Sequence, residues 1–546
     1  PGAGNRTMHP MIHSSLLSGR TARCVVLSLL LLPILLPVGI VLLLFALSVI
    51  RGDPVVTAQL AWTTRSGLLL VKSIVYAAAC ALSALVLGIL FATVIPRFPQ
   101  MASRTMTVII IALLPVPPYI HALAWSNAVS ALNILLSGTS YQPFALQGWV
   151  MAWWVQVMAF LPFACLIGII ALSAISRDLI DAARIVSPDI TVLSKIMVPV
   201  SLPIMSAGFG FLFLSGVTEY SVPSLFSVDT YALDIFAAFS ATNAVGAAFA
   251  AALPLIVAAL GILGISQPGF RALGEFPGWT RAGAGPLREW PAWFSALQSM
   301  ALILVVLLSF VLVFGTAGSM GSLPGIGAAI SSSGMEIAYS LEIGLLAVII
   351  GIPLAAGIVF FMPHGIYTKK IFWVLVTLPL AIPSSLIGMG LLTLFATTMK
   401  GPAFGLLLPV FAGIVRFLPV AIIIISAQVH MIDPVLLDAA RFLGTPGSGY
   451  YLKVTLPLLA PGIGIAAVFL FSLTLGELGA TLLVAAPGYQ TMTMKIYNYL
   501  HYGSFPAVAG LSALMAGLTT ITTLLALYGT GMWMQRFRLF RSEVHD

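Results

Sequence analysis

The chain has 546 residues, of which 60% are hydrophobic and 7% charged, whereas charged residues make up about a quarter of a soluble domain. That balance excludes a water-soluble fold and identifies an integral membrane protein. The formal net charge of +8 does not indicate nucleic acid, because the basic residues are scattered through short loops; membrane lipid is the expected surroundings.

Apolar runs longer than about 18 residues recur along the whole chain, the pattern of a helical bundle and not of a barrel's short alternating strands. Arg20 and Arg23 precede the first run. It is too long for a secretory signal and no A-x-A site follows, so an uncleaved first span is expected. The runs predict about twelve spans near 24–50, 74–95, 105–126, 148–173, 199–217, 243–265, 292–315, 336–361, 371–396, 404–427, 457–476 and 505–530. Pro115, Pro117 and Pro118 in the third, and Pro379 and Pro383 in the ninth, predict kinks or breaks. Cys24, Cys80 and Cys165 lie in apolar runs without metal-ligand or disulfide spacing and are read as packing residues, so no metal site is expected.

Of the 24 Lys and Arg residues, 18 fall in the loops on the side of the N-terminus. Five (Arg51, Arg65, Lys72, Lys400 and Lys495) fall on the other side, and Arg416 lies within a span. This split predicts that both termini are cytoplasmic.

Two loops on that predicted cytoplasmic side are copies of each other. D-A-A-R-I-V-S runs from Asp181 to Ser187 and leads to Pro199; D-A-A-R-F-L-G runs from Asp438 to Gly444 and leads to Pro457. Paired alanines leave a shallow helix face that a partner can approach, the carboxylate suits a helix N-terminus, and Ser187 or Gly444 permits a turn. Leu161-Pro162 and Leu418-Pro419 repeat at the same offset, and Glu219 aligns with Glu477 one residue later. The repeat is therefore parallel, with six spans per half. It divides the chain into a first half at 1–265, a cytoplasmic Gly/Pro-rich linker at 266–289 and a second half at 290–546.

The second copy, with Asp438, Ala439, Ala440, Gly444, Val454, Leu456 and Pro457, resembles the motif E-A-A-x3-G-x9-I-x-L-P of permeases in binding-protein-dependent ABC importers. The first copy, Asp181, Ala182, Ala183, Ser187, Ile196, Val198 and Pro199, is one residue shorter, and Asp replaces Glu in both. The fused organisation, with G-E-L-G-A-T-L-L-V from Gly476, resembles ferric-iron importer permeases and their relatives for thiamine and 2-aminoethylphosphonate. The resemblance implies a type I permease fold in a bacterial cytoplasmic (inner) membrane. It also implies two coupling helices seated on cytoplasmic ATP-binding subunits, and a periplasmic or lipid-anchored solute-binding protein. The expected cargo is ferric iron, with 2-aminoethylphosphonate, thiamine or polyamine as alternatives. No G-x-x-x-x-G-K-[ST] loop occurs, so ATP and Mg are expected on a separate subunit and this chain is not expected to be an enzyme.

Three charged residues sit outside this pattern. Glu219 and Glu477 each follow a helix-opening proline by 20 residues, about 30 Å along a helix, which places them at the external end of their spans, as interfacial carboxylates or as part of a gate. Arg416 lies in a span, where a cation faces protein or water; it either snorkels or serves the pathway, and its repeat counterpart is Ala159. The aromatics of 490–504 read as an interfacial belt and not as iron ligands. An ATP-independent secondary transporter would place acid or His relays within the spans, and a membrane enzyme would cluster its seven His residues, which are dispersed here.

Overall fold

The computed structural model describes residues 20–542, except 62, 115, 139–141, 145–146, 276–289, 319–326, 328–329, 364, 396–401, 443–453 and 503–504. All regular elements among the described residues are helices. In the first half these are α1 (Arg20–Ile50), α2 (Pro54–Leu60), α3 (Thr64–Val94), α4 (Gln100–Leu113), α5 (Pro118–Leu136), α6 (Trp149–Ser173), α7 (Arg177–Arg184), α8 (Asp189–Val192), α9 (Val198–Val217), α10 (Ser221–Leu225), α11 (Tyr231–Thr242) and α12 (Val245–Gly274). In the second they are α13 (Ala292–Gly318), α14 (Gly334–Phe360), α15 (Ile366–Thr377), α16 (Ser384–Phe395), α17 (Pro402–Met431), α18 (Pro434–Phe442), α19 (Leu456–Leu475), α20 (Thr481–Val484), α21 (Met492–Tyr502) and α22 (Phe505–Ser542).

Among the described residues, eleven helices are long and apolar enough to cross a membrane, and the bent segment from Ile366 to Phe395 makes twelve. Lipid-facing apolar side chains such as Leu29 on α1 and Ile303 on α13 remain exposed, which a membrane solvates at no cost. The proline-rich runs break as expected: α4 ends before Pro117 and Pro118 start α5, and the chain bends by 98° ahead of α16. Proline removes a backbone donor and pushes its predecessor out of the helical region. Three readings change. Helix α3 begins at Thr64, ten residues before its predicted span, because a Thr63–Ser66 capping box starts it among polar residues. Cys24 is exposed, while Cys80 and Cys165 are buried as packing residues. Residues 266–274, read as linker, continue α12 with Ser266, Phe270 and Gly274 buried; most of the remaining linker, 276–289, lies outside the described residues.

Helices α3, α6 and α9 pack together, as do their repeats α14, α17 and α19. The first helix of each half crosses over: α1 packs on α16, and α13 packs on α5 and α3. A Cβ on Gly390 of α16 would come within 2.1 Å of the Pro37 carbonyl oxygen, so only glycine permits that approach. At the reciprocal crossing, Asn127 of α5 donates a side-chain hydrogen bond to the Gly315 carbonyl at 3.0 Å. Where α12 meets α15, Glu275 pairs with Arg271 at 3.3 Å and Lys369 at 3.4 Å, and Gln267 donates to Thr377 at 2.7 Å.

Candidate functional site: two D-A-A helices and a central cavity

Each D-A-A stretch forms a short surface helix, α7 or α18, after a spanning helix that carries a buried internal proline, Pro162 or Pro419. Six crossings separate the two if the bent α15–α16 pair counts as one, so they lie on the same side of the bundle. In α7, Asp178 in the first turn and Arg184 in the last complement the helix dipole. One aliphatic anchors each helix at the same repeat position: Ile180 is fully buried, and Leu437 is buried against Leu458 and Leu459. On the outer surface, Ile185 is 84% exposed and its counterpart Phe442 is 91% exposed. Val186 and Leu179 extend the first patch, Val435 and Leu436 the second.

Asp181 and Ala182 are exposed and Ala183 is buried; Asp438 is half-buried and Ala439 exposed. The Ala440 side chain and Gly444 lie outside the described residues. The expectation that the D-A-A carboxylate serves a helix N-terminus is corrected. Asp181 and Asp438 are each the fifth residue of their helix, and in the second copy it is Asp433 whose carboxylate accepts from the Val435 N–H at 3.0 Å. Ser187 turns without a positive φ. The turn is closed by Arg184, which pairs with the buried Asp189 at 2.9 Å. Pro199 and Pro457 each sit in the first turn of the next spanning helix, as predicted. A π-helical segment, Leu193–Met197, leads into the first, and Val454 and Thr455 are π-helical before the second. The wider turn accommodates a residue that donates no N–H.

At the far ends of α9 and α19, about 30 Å from the D-A-A helices by helix rise, a cavity of about 150 Å³ lies between the halves. Its walls repeat: Phe160 with Phe417, Ser215 with Leu473, Glu219 with Glu477. Both carboxylates stand just beyond their spans, at the position expected from chain length. They differ from simple interfacial carboxylates in that each caps a short helix. Glu219 accepts from the Ser221 N–H at 2.7 Å and from its hydroxyl. Glu477, 5% exposed, accepts from the N–H groups of Ala480 at 2.9 Å and Thr481 at 2.8 Å and from the Thr481 hydroxyl at 2.6 Å. Capping satisfies donors at a helix start.

Arg416 opens on the same cavity. Its Nη2 donates across the halves to the Thr218 hydroxyl at 3.3 Å, and its guanidinium lies 5.8 Å from the Phe417 ring centroid. Ala159 lines the opposite wall, so the repeat brings a cation to one side only. The structure thus assembles Glu219, Glu477 and Arg416 into one site and keeps both D-A-A helices apart from it.

No family model matches the chain. Over 161 residues, 29% of this chain, it is 30% identical to the putative 2-aminoethylphosphonate transport system permease protein PhnV of Salmonella typhimurium, 60% of whose length is covered. Over an equal span it is 28% identical to the putrescine transport system permease protein PotI of Escherichia coli, covering 57% of that protein. The chain is a relative of transport-system permeases. A third such permease, the spermidine/putrescine protein PotC of Escherichia coli, is 26% identical over 139 residues and covered over 52%. The chain therefore spans between half and two-thirds of the length of these permeases.

Around the central cavity, sequence reasoning missed Tyr220, Thr218 and Ser384. Tyr220 stacks on Phe236 at 5.8 Å and its hydroxyl has no hydrogen bond among the described residues. Its position beside Glu219 was the available signal. The 490–504 stretch includes α21, where Lys495 pairs with Glu336 at 2.7 Å and lies 5.9 Å from the Tyr499 ring centroid. This ties the stretch to α14.

Proposed function

We propose that this chain is the translocation subunit of an ATP-driven importer in a bacterial inner membrane. In this reading both D-A-A helices face the cytoplasm and seat two ATP-binding subunits, and a solute-binding protein delivers cargo at the opposite face. The carrying observation is the pair of exposed side chains at one repeat position, Ile185 and Phe442, each on a helix anchored from beneath by Ile180 or Leu437. An exposed apolar patch on a charged membrane face calls for a protein partner, and two equivalent patches call for a twofold one. Closure of the ATPase dimer would move both helices together and rock the halves about the central cavity. ATP and Mg would belong to the partner, leaving this chain without catalysis.

The cargo reading moves from ferric iron toward small amines. The relatives' names join permeases to putrescine, spermidine and 2-aminoethylphosphonate, all of which carry a primary ammonium, and two carboxylates line the cavity. Copurification of an ATP-binding subunit with the wild-type chain, and its loss in the Ile185→Asp/Phe442→Asp double variant, tests the docking. Uptake and subunit association that survive the double variant would refute it.

A further inference from the structure

The cavity holds a cation that the fold leaves unsatisfied. Arg416 lies within a spanning helix, and its Nη1 is buried without a hydrogen-bond partner among the described residues. Its described hydrogen bond, Nη2 to Thr218, is long at 3.3 Å. A guanidinium presents five N–H donors in a planar fork. Leaving the Nη1 donors unmatched away from water is expensive, and charged donors are the most expensive to strand. Neither cavity carboxylate pairs with it among the described ion pairs, because both are turned to capping. Glu219 nevertheless keeps one oxygen free of described hydrogen bonds, and it follows Thr218 directly in the chain.

We propose that Arg416 is the oxyanion-recognition residue of this cavity, and that the solute is a small amine carrying an oxyanion, of the aminoalkylphosphonate class. The fork meets two phosphonate oxygens bidentately, and the ammonium falls to Glu219 beside it. Phe160 and Phe417 supply apolar walls on either side. A polyamine without an oxyanion would leave Arg416 stranded and bring like charges together. The asymmetry of the cavity, with Ala159 at the repeat position of Arg416, suits a solute with two unlike ends. This inference rests on the importer reading for its meaning, but its test uses the chain alone.

The purified full-length chain in lipid nanodiscs is titrated with radiolabelled 2-aminoethylphosphonate. Saturable binding is expected, with competition by ethylphosphonate and little by putrescine. Arg416→Gln should weaken binding roughly tenfold or more, the scale of a lost charged hydrogen-bond set, and Arg416→Lys should fall between. Glu219→Gln should weaken 2-aminoethylphosphonate while sparing ethylphosphonate, a selectivity that a purely structural role for either residue would not produce. No saturable binding to the wild type at millimolar concentration overturns the proposal. So does unchanged binding to Arg416→Gln, or putrescine competing as well as ethylphosphonate. If binding behaves as expected but no ATP-binding subunit associates, the importer reading fails and the site stands.

Discussion

In the first half, the segment after the D-A-A helix is closed by Arg184 and the buried Asp189 at 2.9 Å, and a short helix follows at once. The matching stretch of the second half, L-G-T-P-G-S-G-Y-Y-L-K from Leu443, contains three glycines and no acid. An ion pair stiffens the turn it closes, and the second sequence offers no acid to form the equivalent pair. The central cavity shows the same departure, with Ala159 on one side and Arg416 on the other. The halves therefore share positions and exposed apolar side chains but differ in the residues that follow each D-A-A helix and in those that line the cavity. Equivalent places on a repeated frame hold different jobs.

The largest effect should come from the shared anchors. Phe442→Asp and Ile185→Asp should each weaken association of an ATP-binding subunit by roughly 10–100-fold, from losing about 1.5–3 kcal/mol of apolar burial per side chain. Titrating the subunit against each variant measures this, and a wide gap between them would show that the two sockets carry unequal load. Next come the capping carboxylates. Glu477→Ala removes three hydrogen bonds from a buried site and should destabilise by about 2–3 kcal/mol. Glu219→Ala, with one described acceptor oxygen engaged, should cost about 1 kcal/mol. Thermal unfolding of the two variants side by side checks the order.

An effect between those of the two carboxylate variants, about 1–2 kcal/mol after allowing for partial exposure of Arg184, is expected for Asp189→Ala. Trypsin should then cut faster after Arg184, while cutting after Arg441 in the same digest stays unchanged; equal acceleration at both would show that the ion pair does not hold the first turn locally. The smallest effect expected is a partial recovery, about threefold, of 2-aminoethylphosphonate binding when Ala159→Arg is added to Arg416→Ala. That gain is limited because a cation is placed at a buried alanine. No recovery would show that the cavity is asymmetric beyond this one pair.

Much of this arrangement was legible in the sequence for simple reasons. Span length sets the apolar runs, proline marks the breaks, and an offset of 257 residues between Asp181 and Asp438 reveals the repeat. The D-A-A stretches were legible as surface helices, but their capping was not, since the carboxylate that caps α18 is Asp433. The meeting of Arg416 with Thr218, 198 residues apart, has no local signature, because contacts between halves depend on packing and not on periodicity. The role of Glu219 and Glu477 was half legible: chain length set their depth, whereas the helices they cap are too short for a hydrophobic pattern to announce.

The crossing of α1 onto α16 sets a schedule for making the protein. Roughly 330 residues separate the end of α1 from the start of its partner, and at about 5–20 residues per second synthesis needs roughly 15–70 s to supply it. During that interval the face around Pro37 and Val41, which meets Gly390 of α16, must rest against lipid or an insertion chaperone. The nascent first half is therefore an open structure awaiting its second, and the fused chain keeps the correct partner within reach.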